Sequence, residues 1–384
     1  MLDILARMLP VSLETPASFD LPVRLTRPFD RLRAVLAGLP LAKLSEMVGS
    51  PSDLMQMVRL QAGFFSFRFI LPVLIARQHR VFSILAAGPV GLEAFARRSG
   101  MHRQAAATLC RVLESQGFVS RDNQRLFLTP FAKRYLAEDG PSSLAPVVDL
   151  LLAYATSFDE LSASLHSGET PSSLDVRTDG PATDAMLSAV NTHLLLASRE
   201  LLARVELPEI RSFIVGSMGV SFSAELMRRH SSARVTYGCL DHLVTRIPGL
   251  RQQYGIDSAR VDGMHSHSGE PGEDTWGEEA FDLVFLTRKM ILDPASRTGE
   301  RFARKALDVL EPGGAVVFWE AIHPDQGPSP LALALETVFD LGMSPSAPLQ
   351  TRATFGRTLR DIGYDRVEFI DCMGGSTTFA VAYK

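Results

Sequence analysis

The stretch that decides the fold is Arg211–His230, RSFIVGSMGVSFSAELMRRH. Phe213 to Val215 form a short apolar run ending in Gly216; Gly219 follows three positions on, and Phe222 to Arg229 can wind as a helix. Strand, glycine turn and helix is the layout in which a parallel sheet receives a nucleotide at a strand's carboxyl end. Yet Met218 and Val220 stand where such turns carry further glycine. The stretch reads evenly as a cofactor loop or as a plain strand-to-helix turn.

Downstream, strands and helices alternate. Strands are expected at Ser212–Gly216, Arg234–Leu240, Phe281–Leu286, Ala315–Glu320, Arg366–Ile370 and Thr377–Tyr383. Helices are expected at Phe222–Arg229, Gly299–Leu310 and Ala353–Ile362. Such alternation predicts a doubly wound sheet with ligands at the carboxyl ends of its strands. EPGG, Glu311 to Gly314, is a sharp turn feeding the strand AVVFWE.

Upstream the pattern is helical. HRQAAATLCRVLESQG places Ala105, Leu109, Val112 and Leu113 on one helix face, with Gly117 as a stop. FVSRDNQRLFLTP then reads as two short strands around Asp122-Asn123. Helix, helix and hairpin make a winged helix, read either as a DNA-binding unit or as a dimerisation module. Asp139 to Pro181 is rich in Ser, Gly and Pro and reads as a connection, followed by a long helix from Asp184 to Val205. The expected division is a mostly helical region at 1–180 and an α/β domain at 181–384.

A length of 384 residues suits two or three domains. The net charge of −4 gives no electrostatic reason to expect a nucleic-acid partner. Cys110, Cys239 and Cys372 are odd in number and far apart, which argues against a disulfide framework and for a cytoplasmic protein. The opening MLDILARMLPVSLETP is too broken by Arg7 and Pro10 for a signal peptide. GFFSFRFILPVLIA, Gly63 to Ala76, falls short of a bilayer span and predicts a buried or dimer-forming helix, with no membrane partner.

Taken in order, GSMG, CLDHL, FDLVFLTRKMILDP, LEPGGAVVFWEAI and FGRTLRDIGYDRVEFID resemble the class I S-adenosylmethionine methyltransferases. With the winged helix added, the chain from about Gly63 onward is similar to small-molecule O-methyltransferases of the caffeate and carminomycin type. The resemblance implies a Rossmann-like methyltransferase domain behind a winged-helix dimerisation domain, a homodimer through that first domain, and S-adenosylmethionine as cofactor.

Residue by residue, the resemblance implies cofactor contacts at Gly216, Gly219, Asp241 and His267. Asp241 takes the position of the acid that holds the ribose hydroxyls, although a strand-end aspartate can equally cap the next helix. His267 stands where the family has the adenine-side aspartate. His265 and His267 are too sparse a pair for a metal site, and none is expected. The family's general-base histidine is replaced by Leu292, within ILDP. Its orienting acid survives as Glu320, and the second orienting acid is replaced by Thr354. Stand-in bases are His193, on the long helix, and His323; each is read alternatively as an ordinary solvated or core histidine.

The expected function is methyl transfer to a small cyclic or aromatic metabolite of specialised metabolism. The alternative is a methyltransferase-fold protein that has lost methyl transfer, and either catalyses a cyclisation or rearrangement or acts as a non-catalytic partner.

Overall fold

The computed structural model describes residues 51–140, 142–175, 178–267, 276, 281–287, 298–330, 333–334, 337 and 349–384. They fall into two compact units, one ending at Lys133 and one beginning at Arg134.

The first unit opens with the 28-residue helix α1 (Pro51–Gln78). There follow α2 (Val81–Ala86), β1 (Val90–Gly91), α3 (Leu92–Ser99), α4 (Arg103–Ser115), β2 (Val119–Asp122) and β3 (Arg125–Leu128). The three strands pair in the order β1-β3-β2, which gives the winged-helix topology. The core is built on Phe82, Phe95, Leu113 and Leu126. The expected face of α4 is rotated: Ala106, Leu109, Cys110 and Leu113 are buried, while Ala105 and Val112 are exposed. The turn of the wing sits at Asn123 and Gln124, both with positive φ, one residue later than expected.

Helix α1 is apolar and poorly covered. Leu60, Phe64, Phe65, Phe67, Phe69 and Leu71 are 40–61% exposed, and only towards its end do Val73, Leu74 and Ala76 enter the core. Leu60–Gln78 is also long and apolar enough to cross a membrane by length and composition, which corrects the shorter run read from the sequence.

The second unit starts with α5 (Pro130–Tyr135), which bridges the boundary, then α6 (Ala145–Thr156) and α7 (Phe158–Ser167). These last two replace the expected connection. APVVDLLLAYAT is apolar on most of its circumference, Asp149 being its one charge, and starts with a proline in its first turn, so it packs as a helix without showing a clear amphipathic period. Its Tyr154 packs with Leu174 and Met186. Met186 belongs to the long helix α8 (Pro181–Arg204).

Next come β4 (Ser212–Gly216), α9 (Val220–Arg229), β5 (Arg234–Leu240), α10 (Ile247–Gln253), β6 (Val261–His267), β7 (Phe281–Thr287), α11 (Thr298–Val309) and β8 (Leu310–Glu320). The chain closes with β9 (Ile322–His323), β10 (Gln350–Thr351), α12 (Arg352–Ile362), β11 (Arg366–Cys372) and β12 (Thr377–Tyr383). Seven strands form one sheet, ordered β11-β12-β8-β7-β4-β5-β6. β6, β5, β4, β7 and β8 run parallel, and β12 is antiparallel to both its neighbours.

From β4 the chain winds outward to β6, then returns to β7 on β4's other side. That reversal opens a crevice at the carboxyl ends of β4 and β7, where open sheets bind ligands. Strand alternation divides the core between two faces. Phe213, Val215, Leu283, Phe285, Val317 and Trp319 pack with α8 and α9 residues such as Leu194 and Phe222. Ile214, Val284, Leu286, Val316 and Phe318 pack with Phe302 of α11 and Phe355 of α12. Each such large side chain contributes about 1.5–3 kcal/mol on burial. A polar pair deep in the first face is satisfied internally: Ser223 Oγ and Tyr237 Oη are 2.9 Å apart, and burial pushes the Tyr237 phenol up to about 12.

Candidate functional site

The turn after β4 is a short 3₁₀ segment, Ser217–Gly219, leading directly into α9. Neither turn glycine needs a left-handed backbone: Gly216 has φ −65° and Gly219 φ −106°. Space is the constraint instead. A Cβ on Gly219 would lie 2.7 and 2.8 Å from ring carbons of Phe285, and closer still to Val215 Cγ1. Glycine here lets the turn settle against β4 and β7.

Gly216 pairs with Gly238 of β5 on the sheet's opposite face. Their missing side chains leave a hollow that the indole of Trp276 enters: Trp276 Nε1 is 3.7 Å from where a Gly238 Cβ would stand. Trp276 is 3% exposed, stacks on Phe302 at 6.0 Å, and has the Lys305 ammonium 5.1 Å from its ring centroid. The remaining cavity, lined by Ile214, Gly216, Gly238, Trp276, Val284, Phe285 and Leu286, is about 10 Å³, room for one water.

Met218 and Val220 both turn inward. Val220 is fully buried, and half-buried Met218 packs between the α8–α9 core and the Tyr154–Leu174–Met186 cluster. The first turn of α9 is fastened by a residue the sequence reading passed over. Asn191, fully buried on α8, accepts a hydrogen bond from the Ser221 amide at 2.8 Å and donates to Leu187 O at 2.9 Å. An asparagine inside AVNTHLLL was the available signal, because a polar side chain on an apolar helix must find partners.

Asp241 opens a 3₁₀ segment at the carboxyl end of β5. It is exposed, provides no cap to that segment, and makes no hydrogen bond or ion pair among the described residues. The segment is held by Arg246, which pairs with Asp179 and with Asp184 of α8 and donates to His242 O at 2.5 Å. The Asp241 carboxylate is left facing solvent at the strand end.

At the other end of the crevice, the His193 ring lies parallel to Trp319 at 6.0 Å, and its Nε2 is 3.2 Å from Thr377 Oγ1. Helix α8 thus brings its histidine to the ends of β8 and β12. Glu320 follows Trp319 and pairs in register with Thr378, so alternation sends its side chain to the face away from the His193 stack. Thr287 ends β7 beside Trp319; it is 2% exposed, and its hydroxyl has no partner among the described residues. No spacing or motif around FDLVFLT marks it.

His323 stands apart. It is 6% exposed, with Nδ1 2.6 Å from Ser329 Oγ and Nε2 3.3 Å from Thr337 Oγ1. Both ring nitrogens are engaged by hydroxyls, the arrangement of a core histidine. Thr354 forms a reciprocal cap with Thr351 at the start of α12. His267 ends β6 with its backbone paired to Leu240. Leu292 and Asp293 lie outside the described residues. Among those described, no group of three or more His, Cys, Asp or Glu gathers for a metal.

No family model and no curated protein matches the chain by sequence. Solved structures match by shape. An O-methyltransferase family protein from Burkholderia thailandensis aligns with TM-score 0.67 at 18% identity, over 86% of this chain and 98% of its own. Human N-acetylserotonin methyltransferase, solved with S-adenosylmethionine, gives 0.67 at 18%, over 88% and 99%. The mitomycin 7-O-methyltransferase MmcR gives 0.65 at 15%, over 88% and 100%. The fold is the O-methyltransferase fold. Within it, Asp241 and the β4–α9 turn share one end of the crevice, and His193, Thr287 and Trp319 the other.

Proposed function

We propose that the chain is a methyltransferase-type enzyme that takes S-adenosylmethionine at the crevice and acts on a small cyclic or aromatic metabolite. Asp241 carries this reading: an exposed carboxylate without a partner among the described residues at the end of β5, on a segment whose backbone Arg246 ties to α8 through His242 O and Asp184. It would accept the ribose hydroxyls, with the Gly216–Gly219 turn alongside. When bound, the group supplies a methyl activated on a sulfonium. The protein's share is alignment and proton handling. His193 is the residue to take the acceptor's proton, since its half-buried ring lies beside Trp319 at the crevice end, whereas His323 is buried apart from it. A positioned base contributes typically 10²–10⁴-fold.

The exposed apolar face of α1 supports a homodimer formed through the first unit, because a contiguous apolar patch of this kind marks an association surface. Sedimentation velocity on the full chain should give a dimer; a monomer at micromolar concentration would reject it.

A second reading, loss of methyl transfer, draws on one observation: Trp276 closes the hollow over Gly216 and Gly238 to about 10 Å³. Calorimetry with S-adenosylmethionine separates the two. Micromolar binding supports the first reading, and absence of heat at millimolar cofactor removes it.

A further inference from the structure

The whole-chain charge of −4 averages two very different parts. Residues 51–133 carry 11 Lys and Arg against 4 Asp and Glu, a net of +7, whereas residues 134–384 carry 22 against 34, a net of −12. The positive part coincides with the described portion of the winged-helix unit.

The charge is placed on the outside of that unit's helix-turn-helix. The buried side of α4 is Ala106, Leu109, Cys110 and Leu113; its solvent side presents Arg103, Gln104, Thr108, Arg111 and Ser115. Arg97 and Arg98 end α3, and Arg121 and Arg125 flank the turn of the wing, all exposed. Glu93 pairs with Arg103 and Glu114 with Arg121. Arg97, Arg98, Arg111 and Arg125 form no ion pair among the described residues, although Asp122 stands opposite Arg125 in the wing's register.

We propose that this face binds double-stranded DNA, with α4 in the major groove and the wing arginine Arg125 on the phosphate backbone. The B-form major groove, about 12 Å wide, admits one α-helix, and arginine, glutamine, threonine and serine are side chains that hydrogen-bond base edges and phosphates there. At 13 residues, α4 is about 20 Å long, enough to lie along one groove segment. Four unpaired arginines supply the phosphate neutralisation on which such affinity depends. The expectation from the net charge was the opposite, because the acidic second unit masks the basic first one. The proposal stands independently of the methyltransferase reading.

The test is fluorescence anisotropy of the full chain with a labelled 30-base-pair duplex of mixed sequence at 50 and 200 mM NaCl. Binding in the micromolar range at the lower salt is expected. With about four phosphates neutralised, affinity should fall roughly 100-fold at the higher salt. The double substitution Arg111→Glu with Arg125→Glu should weaken binding at least tenfold. Arg357→Glu, at an exposed position of α12 in the second unit, should leave it unchanged. Because all three arginines are exposed, circular dichroism should show each variant folded, and Arg111→Gln with Arg125→Gln should reproduce the loss in milder form. No binding at 50 mM salt overturns the proposal. So does equal loss on Arg357→Glu, or equally tight binding to an RNA duplex of the same length or to phosphatidylserine vesicles.

Discussion

The two faces of the seven-stranded sheet use glycine for different ends. On the α8–α9 face, Gly219 draws a turn down onto Val215 and Phe285. On the α11–α12 face, paired Gly216 and Gly238 hollow out the sheet so that Trp276 can sink into it. One glycine brings backbone close; the other two make room for a side chain. A glycine turn in a sequence therefore marks a place where volume is scarce, and a bound ligand is only one of the things that can make it so.

The sharpest way to break this comparison is Trp276→Ala. Removing a buried indole should cost about 3–5 kcal/mol in thermal or denaturant unfolding; a loss below 1 kcal/mol would show that the hollow is not part of the core. The same variant bears on cofactor access: tighter S-adenosylmethionine binding would mean that the indole competes for nucleoside space, and unchanged binding that it does not.

Gly219→Ala should follow, at up to about 3 kcal/mol, as overpacking against Val215 and Phe285. A fully stable variant would contradict the close approach. Asn191→Ala should cost about 1–3 kcal/mol by leaving the buried Ser221 amide without its acceptor, and Asn191→Asp should recover part of that. Hydrogen exchange at Ser221 distinguishes the local effect from global unfolding.

If S-adenosylmethionine binds, Asp241→Ala should weaken it by about 1–2 kcal/mol with no change in melting temperature; unaltered affinity would displace the ribose from this strand end. The smallest effect is expected at His230, whose Nδ1 accepts from the Ile210 amide at 3.4 Å. Burial first, then the charge of Arg229, holds its pKa below the ordinary histidine value. The unfolded chain thus takes up this proton first as pH drops. The contribution is full above about 6.5 and is lost as pH falls through the folded value. His230→Gln should flatten stability below pH 6.5, and an unchanged slope would assign it elsewhere.

Much of the fold was legible because strand runs such as Phe281–Leu286 and Ala315–Glu320 are continuous, apolar and bounded by turns. β6 was not, since VDGMHSH is a polar edge strand with one neighbour. Helix α6 was missed for the reverse reason: it is apolar on nearly every side and sits inside a segment whose average composition is that of a loop. The phase of α4 was off by one because Ala105 and Ala106 are interchangeable to a periodicity count. The place of Asp241 directly after a strand was readable. The roles of Asn191 and Thr287 depend on partners brought from distant elements, or on their lack, and no spacing encodes that. His193 and His323 looked alike in sequence and differ in surroundings: His193 is half-buried beside Trp319 and Thr377, whereas His323 is buried between Ser329 and Thr337.

The three thiols have a practical consequence. Cys110, Cys239 and Cys372 are all free and buried, and burial pushes Cys239 and Cys372 up to about 12. A native molecule should therefore resist iodoacetamide almost completely, since alkylation proceeds through the exposed thiolate. Whatever labelling occurs reports transient opening, with Cys110 timing the first unit and the other two timing the second.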